Sequence, residues 1–231
     1  MKTLGLIGGM SWESTIPYYR IINEYVKQQR GGLHSAKIIL HSVNFHDIEY
    51  LQSQGDWQQA ANVLSDIAIK LRQAGADAIV ICTNTMHKIA DHIEIASKLP
   101  LLHIADATGA SLRQHGLKKV GLLGTRYTME QAFYKQRLYE RYNIDVIVPD
   151  QAGKTEVNRI IYEELCLGKI NDTSRREYQK VIQQLEQQGA QGIVLGCTEI
   201  PLLISAQDAT VPLFDTSRLH AIAAAQFALG E

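Results

Sequence analysis

One motif occurs twice in this chain and limits the folds that the chain can adopt. It reads GADAIVICTNT at residues 75–85 and GAQGIVLGCTE at residues 189–199, so the two copies align without a gap and lie about half the chain length apart. In each copy a short apolar run leads into a polar turn. This repetition predicts two copies of one α/β unit, each with a buried strand that ends in a polar, potentially reactive turn.

A second pair of similar segments supports duplication. Residues 2–9 (KTLGLIGG) resemble residues 118–125 (KKVGLLGT), at nearly the same spacing as the first pair. Each half is therefore predicted to begin with a strand that runs into a glycine-containing turn. Short apolar runs alternate with helical patterns along the whole chain, which is typical of βα units on a mostly parallel sheet. The predicted strands, four in each half, are 4–8, 37–43, 77–82, 101–104, 119–124, 144–148, 191–196 and 211–214.

Helical patterns precede both copies of the motif. Apolar residues at helical spacing predict a helix over 57–71 that Gly75 ends. Ser174 and Glu177 form a capping-box pattern that predicts the start of the second helix, which Gly189 ends. The fold class is thus α/β, with two pseudo-symmetric domains that each contain a mostly parallel four-stranded sheet flanked by helices.

The chain has no linker-like tract between the halves. The predicted boundary lies in an ordinary loop near 105–118, and the last strand and helix are expected to return to the first half. The predicted domains are therefore 1–105 with 211–231, and 106–210. Because ligands of open α/β sheets bind at strand ends, a site in the cleft between the two domains is expected.

Composition excludes several classes of function. A formal net charge of −1 offers no general attraction to nucleic acid or to an anionic membrane. The apolar runs are too short to span a bilayer or to form a secretory signal, so a cytoplasmic location is expected. The three cysteines form no C-x-x-C pair, and the eight histidines form no metal-ligand motif, so neither a disulfide framework nor a metal site is predicted. The expected partner is a small molecule.

The two motifs differ where chemistry is expected, because Thr83 aligns with Cys197. A thiol at a helix N-terminus has a lowered pKa and acts as a base or nucleophile, so Cys197 is the leading catalytic candidate. Thr83 is a much weaker acid, and it either caps the following helix or takes part directly. Cys82 aligns with Gly196 and is predicted to point away from the site, while Cys166 lies in an amphipathic stretch and is predicted to be core.

The turn Gly8-Gly9-Met10-Ser11 follows the first strand and opens a helix. It lacks both the G-x-G-x-x-G pattern and the lysine of a P-loop, so a small carboxylate fits it better than a nucleotide does. His87, two residues after Thr85, is the histidine placed closest to the predicted site.

These segments together resemble the aspartate/glutamate racemase family, and the L-aspartate/glutamate-specific members in particular. The resemblance rests on residues 8–11, the N-T-x-H segment at 84–87 and residues 196–199, and extends to 124–125 and 214–216. It implies a cofactor-independent enzyme, usually a homodimer, with two cysteines flanking the substrate Cα. The first cysteine's position matches Thr83, and the second matches Cys197, which in related racemases acts on the L-isomer.

The resemblance also implies a set of substrate-binding positions. They are Met10, Asn84, Thr85, Thr125 and Thr198, with Gln52 as a candidate for the side-chain carboxylate. The family often places a basic residue at that end, and its replacement leaves the choice between aspartate and glutamate open. With one thiol, a symmetric two-base racemisation is not available.

Three functions compete on the sequence alone. The first is racemisation of L-aspartate and L-glutamate with Cys197 as base and Thr83 on the opposite face. The second is a decarboxylase or a maleate-type cis-trans isomerase of the wider superfamily, for which one thiol is sufficient. The third is a dicarboxylate-binding dimer without turnover.

Overall fold

The computed structural model of the chain describes residues Met1–Glu231 and divides into two compact units. Met1–Ile104 and His220–Glu231 form unit 1, and Ala105–Leu219 form unit 2. The sequence places the return to unit 1 at residue 211, whereas the chain returns at His220. The reason is that the last strand pairs within unit 2 before the chain leaves it.

Unit 1 contains a parallel four-stranded sheet in the order β2-β1-β3-β4. Its strands are β1 (Thr3–Gly8), β2 (Lys37–Ser42), β3 (Ala78–Ile81) and β4 (Leu101–Leu102). Its helices are α1 (Trp12–Arg30), α2 (Phe45–Ser53), α3 (Trp57–Gln73) and α4 (Ala90–Ser97), and a 3₁₀ helix covers Thr85–Ile89.

Unit 2 repeats this order as β6-β5-β7-β8, again with every strand parallel. Its strands are β5 (Lys119–Gly124), β6 (Asp145–Ile147), β7 (Ile193–Gly196) and β8 (Leu213–Asp215). Its helices include α6 (Arg126–Glu130), α7 (Ala132–Tyr142), α8 (Gln151–Glu163) and α9 (Asp172–Gln187). Helices α5 (Ile104–Gln114) and α10 (Thr216–Leu229) begin close to the two unit boundaries, and 3₁₀ helices cover Leu165–Leu167, Ile200–Leu202 and Ala206–Asp208.

The equal strand orders confirm the predicted α/β duplication. Both copies of the motif contribute the third strand of a unit, which lies between the first and fourth strands of its sheet. All eight predicted strands are present, although β4 covers only two residues. Each motif thus occupies the same topological position.

Strand periodicity explains the core of unit 1. Along β1 and β3 alternate side chains point to opposite faces: Leu6 and Val80 pack with α1 and α10, whereas Ile7 and Ile79 pack with α3. A central parallel sheet is covered on both faces and therefore reads as a continuous apolar run. No helix combines the length and the apolarity needed to cross a membrane.

Two helix signals give different results. Gly75 and Gly189 follow α3 and α9 with φ values of 97° and 90°, which L side chains rarely adopt, as predicted for the glycines that end these helices. The predicted capping box at Ser174 is wrong, because α9 begins at Asp172. Asn171 is its N-cap and accepts the Thr173 N–H, since an asparagine is as good a cap as a serine.

Candidate active site

The turn after β3 carries the predicted residues of unit 1. Thr83 is partly exposed, whereas Asn84 and Thr85 are buried. The prediction that this turn opens an α-helix is wrong, because the turn continues into the 3₁₀ helix Thr85–Ile89 before α4 begins. The turn after β3 therefore offers individual N–H and hydroxyl donors in place of the N-terminus of an α-helix.

His87 holds this turn in place. Its Nδ1 lies 2.8 Å from the Thr83 carbonyl oxygen, and its Nε2 lies 3.2 Å from the Ile104 N–H. Because a carbonyl only accepts and an N–H only donates, Nδ1 carries the proton and Nε2 accepts. The imidazole is therefore neutral and joins the Thr83 backbone to the start of α5.

Two more histidines surround His87 in unit 1. The ring centroids of His103 and His220 lie 4.5 Å and 5.5 Å from that of His87, and all three side chains are buried. His220 Nε2 donates to the Leu102 carbonyl, and its Nδ1 lies 2.9 Å from the Tyr18 hydroxyl. Burial, followed by the neighbouring imidazoles, lowers the pKa of His87 well below its ordinary value.

Met10 and Gln52 lie at the same edge of the sheet. Met10 follows β1, whose end is next to the end of β3, because the Cys82 N–H donates to the Ile7 carbonyl. Gln52 is buried on α2, and its Nε2 lies 2.9 Å from the sulfur of Met86. The predicted binding residues of unit 1 thus gather around the end of β3.

The corresponding strands of unit 2, β5 and β7, both end in glycine, and their ends approach each other closely because glycine has no side chain. Gly124 and Gly196 are register partners on β5 and β7. A Cβ on Gly124 would lie 2.8 Å from the Gly196 carbonyl oxygen, and one on Gly196 would lie 2.9 Å from the Leu123 carbonyl oxygen. Glycine at both positions brings the residues that follow, Thr125 and Cys197, to the same edge.

Cys197 forms a buried cluster with the next two residues. Its thiol donates to Oε2 of Glu199 at 3.0 Å, and the Thr198 hydroxyl donates to the same oxygen at 2.8 Å. All three side chains are at most 7% exposed. A thiol is therefore placed in direct contact with a carboxylate away from bulk water.

This contact corrects the predicted electrostatics of Cys197. The expected helix N-terminus is the 3₁₀ helix Ile200–Leu202, which is too short to provide a helix dipole. Burial, then the negative charge of Glu199 and further the nearby Cys166, raises the pKa of Cys197 well above its ordinary value. In this state Cys197 is a protonated thiol with a proton acceptor at hydrogen-bond distance.

The other two cysteines lie outside this cluster. Cys82 is fully buried in the core of unit 1, as its alignment with Gly196 predicts, and burial raises its pKa. Cys166 packs against the core of unit 2.

Thr125 is the N-cap of α6. Its Oγ1 accepts the Thr128 N–H at 3.4 Å, and its side chain is buried. The predicted substrate-binding role of Thr125 therefore falls on a residue that also stabilises the start of a helix.

The duplicated fold places the protein among two-domain α/β proteins of the racemase type. The chain belongs to the Asp/Glu/Hydantoin racemase family, whose model matches residues 7–224.

Three relatives illustrate this membership. The broad specificity amino-acid racemase RacX of Bacillus subtilis (strain 168) is 24% identical over 217 residues, which cover 93% of this chain and 92% of RacX. A Yersinia pestis protein described as a candidate Asp/Glu racemase has a crystal structure that superimposes with a TM-score of 0.93, at 67% identity over 99% of this chain and 100% of that one. An aspartate racemase homologue from Pyrococcus horikoshii OT3 superimposes with a TM-score of 0.84, at 33% identity and the same coverage.

Sequence reasoning missed two parts of the site. The sequence alone identifies Glu199 only as a polar residue of the motif. In the structure its carboxylate is the hydrogen-bond partner of both Cys197 and Thr198. His103 and His220 have no local signal, because they reach His87 from distant points of the chain. The short i, i+2 spacing of Cys197 and Glu199 was the one available clue.

Proposed function

We propose that the protein is a cofactor-independent amino-acid racemase that acts on aspartate and glutamate and reacts with the L-isomer. Membership of the family and relatives that are amino-acid racemases support the reaction class. The observation that carries the proposal is the contact between the Cys197 thiol and the Glu199 carboxylate at the end of β7.

The thiol–carboxylate pair supplies a base in two proton transfers. Glu199 accepts the proton of Cys197, and the resulting thiolate removes the proton from Cα of the L-isomer. Cys197 is then a thiol again, and it returns a proton to the same face after exchange with solvent. A buried thiol with a raised pKa needs such an acceptor, because few of these thiols ionise at neutral pH by themselves.

Thr83 acts on the opposite face of Cα in this proposal. Its hydroxyl is too weak an acid to form an alkoxide at neutral pH, so it donates its proton to the carbanion as it takes another from water, to which the partly exposed side chain has access. His87 fixes the carbonyl of Thr83 and keeps the turn in position. The proposal therefore assigns strong base chemistry to one face and hydroxyl chemistry to the other.

The buried polar residues of both turns bind the substrate. Asn84, Thr85, Thr125 and Thr198 offer donors to the α-carboxylate, where the charge of the carbanion develops. Met10 forms part of the pocket wall. Gln52, whose amide donates to a methionine sulfur in this structure, offers an uncharged donor to the side-chain carboxylate. A neutral amide distinguishes less sharply than a cation between aspartate and glutamate.

Exchange of the α-hydrogen in deuterium oxide tests the proposal. Proton NMR follows loss of the α-hydrogen signal from each isomer of aspartate and glutamate, without added pyridoxal phosphate. We expect rapid exchange from the L-isomers and slow exchange from the D-isomers. Equal exchange from both isomers would contradict the assignment of one base to one face. Decarboxylation of a malonate or isomerisation of maleate, with no exchange from either amino acid, would instead identify one of the alternative reactions.

A further inference from the structure

The segment that follows the thiol–carboxylate pair consists of short 3₁₀ helices. Within Ile200–Leu202 and Ala206–Asp208 the hydrogen bonds join residues close together in the chain, such as the Leu202 N–H and the Glu199 carbonyl. Hydrogen bonds of a 3₁₀ helix have poorer geometry than those of an α-helix, and such helices stay short. The backbone that carries Glu199 therefore needs support from another element to keep its carboxylate at the Cys197 thiol.

Helix α9 supplies that support through Arg175. The Nη1 group of Arg175 donates to the Leu203 carbonyl oxygen, and it lies 3.3 Å from Oδ2 of Asp208. Leu203 comes directly after the first 3₁₀ helix, four residues beyond Glu199. Its side chain is buried in the same core cluster as Cys197. One guanidinium group thus ties both 3₁₀ helices to α9.

Asp208 is the anionic partner in this contact. Its side chain is 6% exposed, and its carboxylate accepts hydrogen bonds of 2.8–3.0 Å from Nε2 of Gln179 and from the N–H and hydroxyl of Ser205. Gln179 and Arg175 lie one turn apart on α9, so both reach the same carboxylate. Burial opposes ionisation, but the bonds from Ser205 and Gln179 and the charge of Arg175 together lower the pKa of Asp208. Asp208 is therefore an anion at neutral pH.

The Arg175–Asp208 pair differs from two other ion pairs of unit 2. Arg159 and Lys180 bind glutamates on or next to their own helices, and their side chains are 38% and 66% exposed. Exposed pairs of that kind contribute little to stability. Asp208 is nearly buried and lies on a different element from Arg175, so removal of the arginine leaves an uncompensated charge. The segment after Glu199 must then move to solvate that charge.

We propose that Arg175 is a positioning residue for the reaction, because its bonds to the Leu203 carbonyl and to Asp208 hold the Glu199 carboxylate at the Cys197 thiol. Arg175 acts on the pair through the backbone of residues 199–203. The inference rests on the proposed function, in which Glu199 takes the proton of Cys197. Loss of Arg175 should therefore resemble loss of the proton acceptor, although Glu199 is still present.

The pH profile of α-hydrogen exchange tests this role. We expect Arg175→Gln to slow exchange from L-aspartate by about tenfold near neutral pH, a part of the usual acid–base contribution. The rate should also rise with pH, as expected for Glu199→Gln, because the Cys197 thiol then loses its proton to solvent. The substrate concentration that gives half the maximal rate should remain nearly unchanged, since substrate binding is not affected. Arg175→Lys keeps a cationic donor and should restore the flat profile.

Two comparisons show whether the effect passes through Glu199. Arg176→Gln removes the same charge from the adjacent, exposed arginine of α9 and should retain both the rate and the profile. Arg175→Gln/Glu199→Gln should be no slower than Glu199→Gln alone, because residues that act through one contact have non-additive effects. A flat pH profile in Arg175→Gln, or a further loss of rate in the double variant, overturns the proposal.

Amide hydrogen exchange followed by mass spectrometry tests the support of the turn without any substrate. Residues 199–204 should exchange faster in Arg175→Gln than in Arg176→Gln and the unmodified protein. Far-ultraviolet circular dichroism checks folding, and Asp208→Asn, which removes the anionic partner, replaces Arg175→Gln if that variant is unfolded. Unchanged amide exchange in the folded variant overturns the proposal. An unmodified protein without α-hydrogen exchange would contradict the proposed function instead, and amide exchange would then decide alone whether Arg175 holds this turn.

Discussion

The turns after β3 and β7 occupy the same position in two units of the same strand order, yet they have different chemistry. After β7, Cys197 lies against the carboxylate of Glu199, so a proton can leave the thiol within the turn. After β3, Thr83 is held through its backbone by the neutral imidazole of His87. Duplication has kept the position of the turn in the sheet. What each turn can do depends on a side chain further along the chain: Glu199, two residues after Cys197, and His87, four residues after Thr83.

Removal of the Cys197 thiol should have the largest effect on the difference between the two turns. We expect Cys197→Ser to slow α-hydrogen exchange of L-aspartate and L-glutamate by about 10²–10⁴-fold, the usual contribution of a positioned acid or base. Proton NMR in deuterium oxide measures the loss. Cys82→Ser is the control, because Cys82 lies in the core of unit 1, and it should retain the exchange rate. Exchange that survives in Cys197→Ser would assign the base to another residue.

Neutralising Glu199 tests whether the carboxylate is the feature that separates the turns. Glu199→Gln keeps an oxygen to accept the Thr198 hydroxyl but loses the charge that accepts the thiol proton. We expect exchange near neutral pH to slow by roughly a hundredfold, the lower end of an acid–base contribution.

The pH profile of the same variant distinguishes a proton acceptor from a packing group. Burial and then the Glu199 charge raise the pKa of Cys197, so the unmodified enzyme relies on Glu199 to take the thiol proton, and its exchange rate should change little across neutral pH. In Glu199→Gln this acceptor is gone and the thiolate forms only by loss of its proton to solvent, so exchange by the variant should rise with pH across that range. An unmoved profile in a slower enzyme would point to packing alone.

The Thr83→Cys variant makes the two turns more alike. Thr83→Cys places a thiol in the turn after β3, and we expect α-hydrogen exchange of the D-isomers to increase by about tenfold or more, since a thiol is a much stronger acid than an alcohol. Thr83→Ser is the matched control and should show no gain. Unchanged exchange of the D-isomers in Thr83→Cys would argue that Thr83 does not face Cα.

The smallest expected effect concerns the neutral histidine. Because burial and the adjacent imidazoles lower the pKa of His87, its contribution to stability is fully present above about pH 6.5 and is lost as the pH falls toward its folded value. Replacement by glutamine should reduce the pH dependence of the unfolding free energy below that pH, by at most about 1.4 kcal/mol per pH unit.

Tryptophan fluorescence during urea unfolding measures this slope. Both tryptophans, Trp12 and Trp57, belong to unit 1, so the signal reports the unit that contains His87. His92→Gln, an exposed histidine on α4, is the control and should retain the slope. Equal slopes in His87→Gln and the unmodified protein would mean that the imidazole is not kept neutral by its surroundings.

The fold was largely predictable because its signals are local and repeated. Short apolar runs determine the strands, and the second copy of the motif checks the first. The predicted return of the chain to unit 1 at residue 211 is too early, because the apolar sequence of residues 211–214 does not reveal which sheet this strand joins. The pairing of β8 with β7 is a contact between segments distant in the sequence.

The site was predictable in its residues and less so in its electrostatics. The aligned motifs identify residues 83 and 197 as equivalent positions, yet the pKa of Cys197 depends on burial and on the rotamer that carries Glu199 toward sulfur. The expected helix dipole did not form, because both turns continue as 3₁₀ helices. Such features depend on side-chain packing that periodicity does not encode.

The histidine cluster also bears on how the chain is assembled. Unit 1 ends at Ile104, whose N–H bonds His87, and resumes at His220, whose ring bonds the Leu102 carbonyl. Residues 105–219 are therefore inserted into unit 1. The hydrogen bonds of His87 and His220 hold the two ends of the interrupted unit close together in space. A short artificial loop joining them would reconnect unit 1 with its sheet order intact, and the cluster marks where that loop belongs.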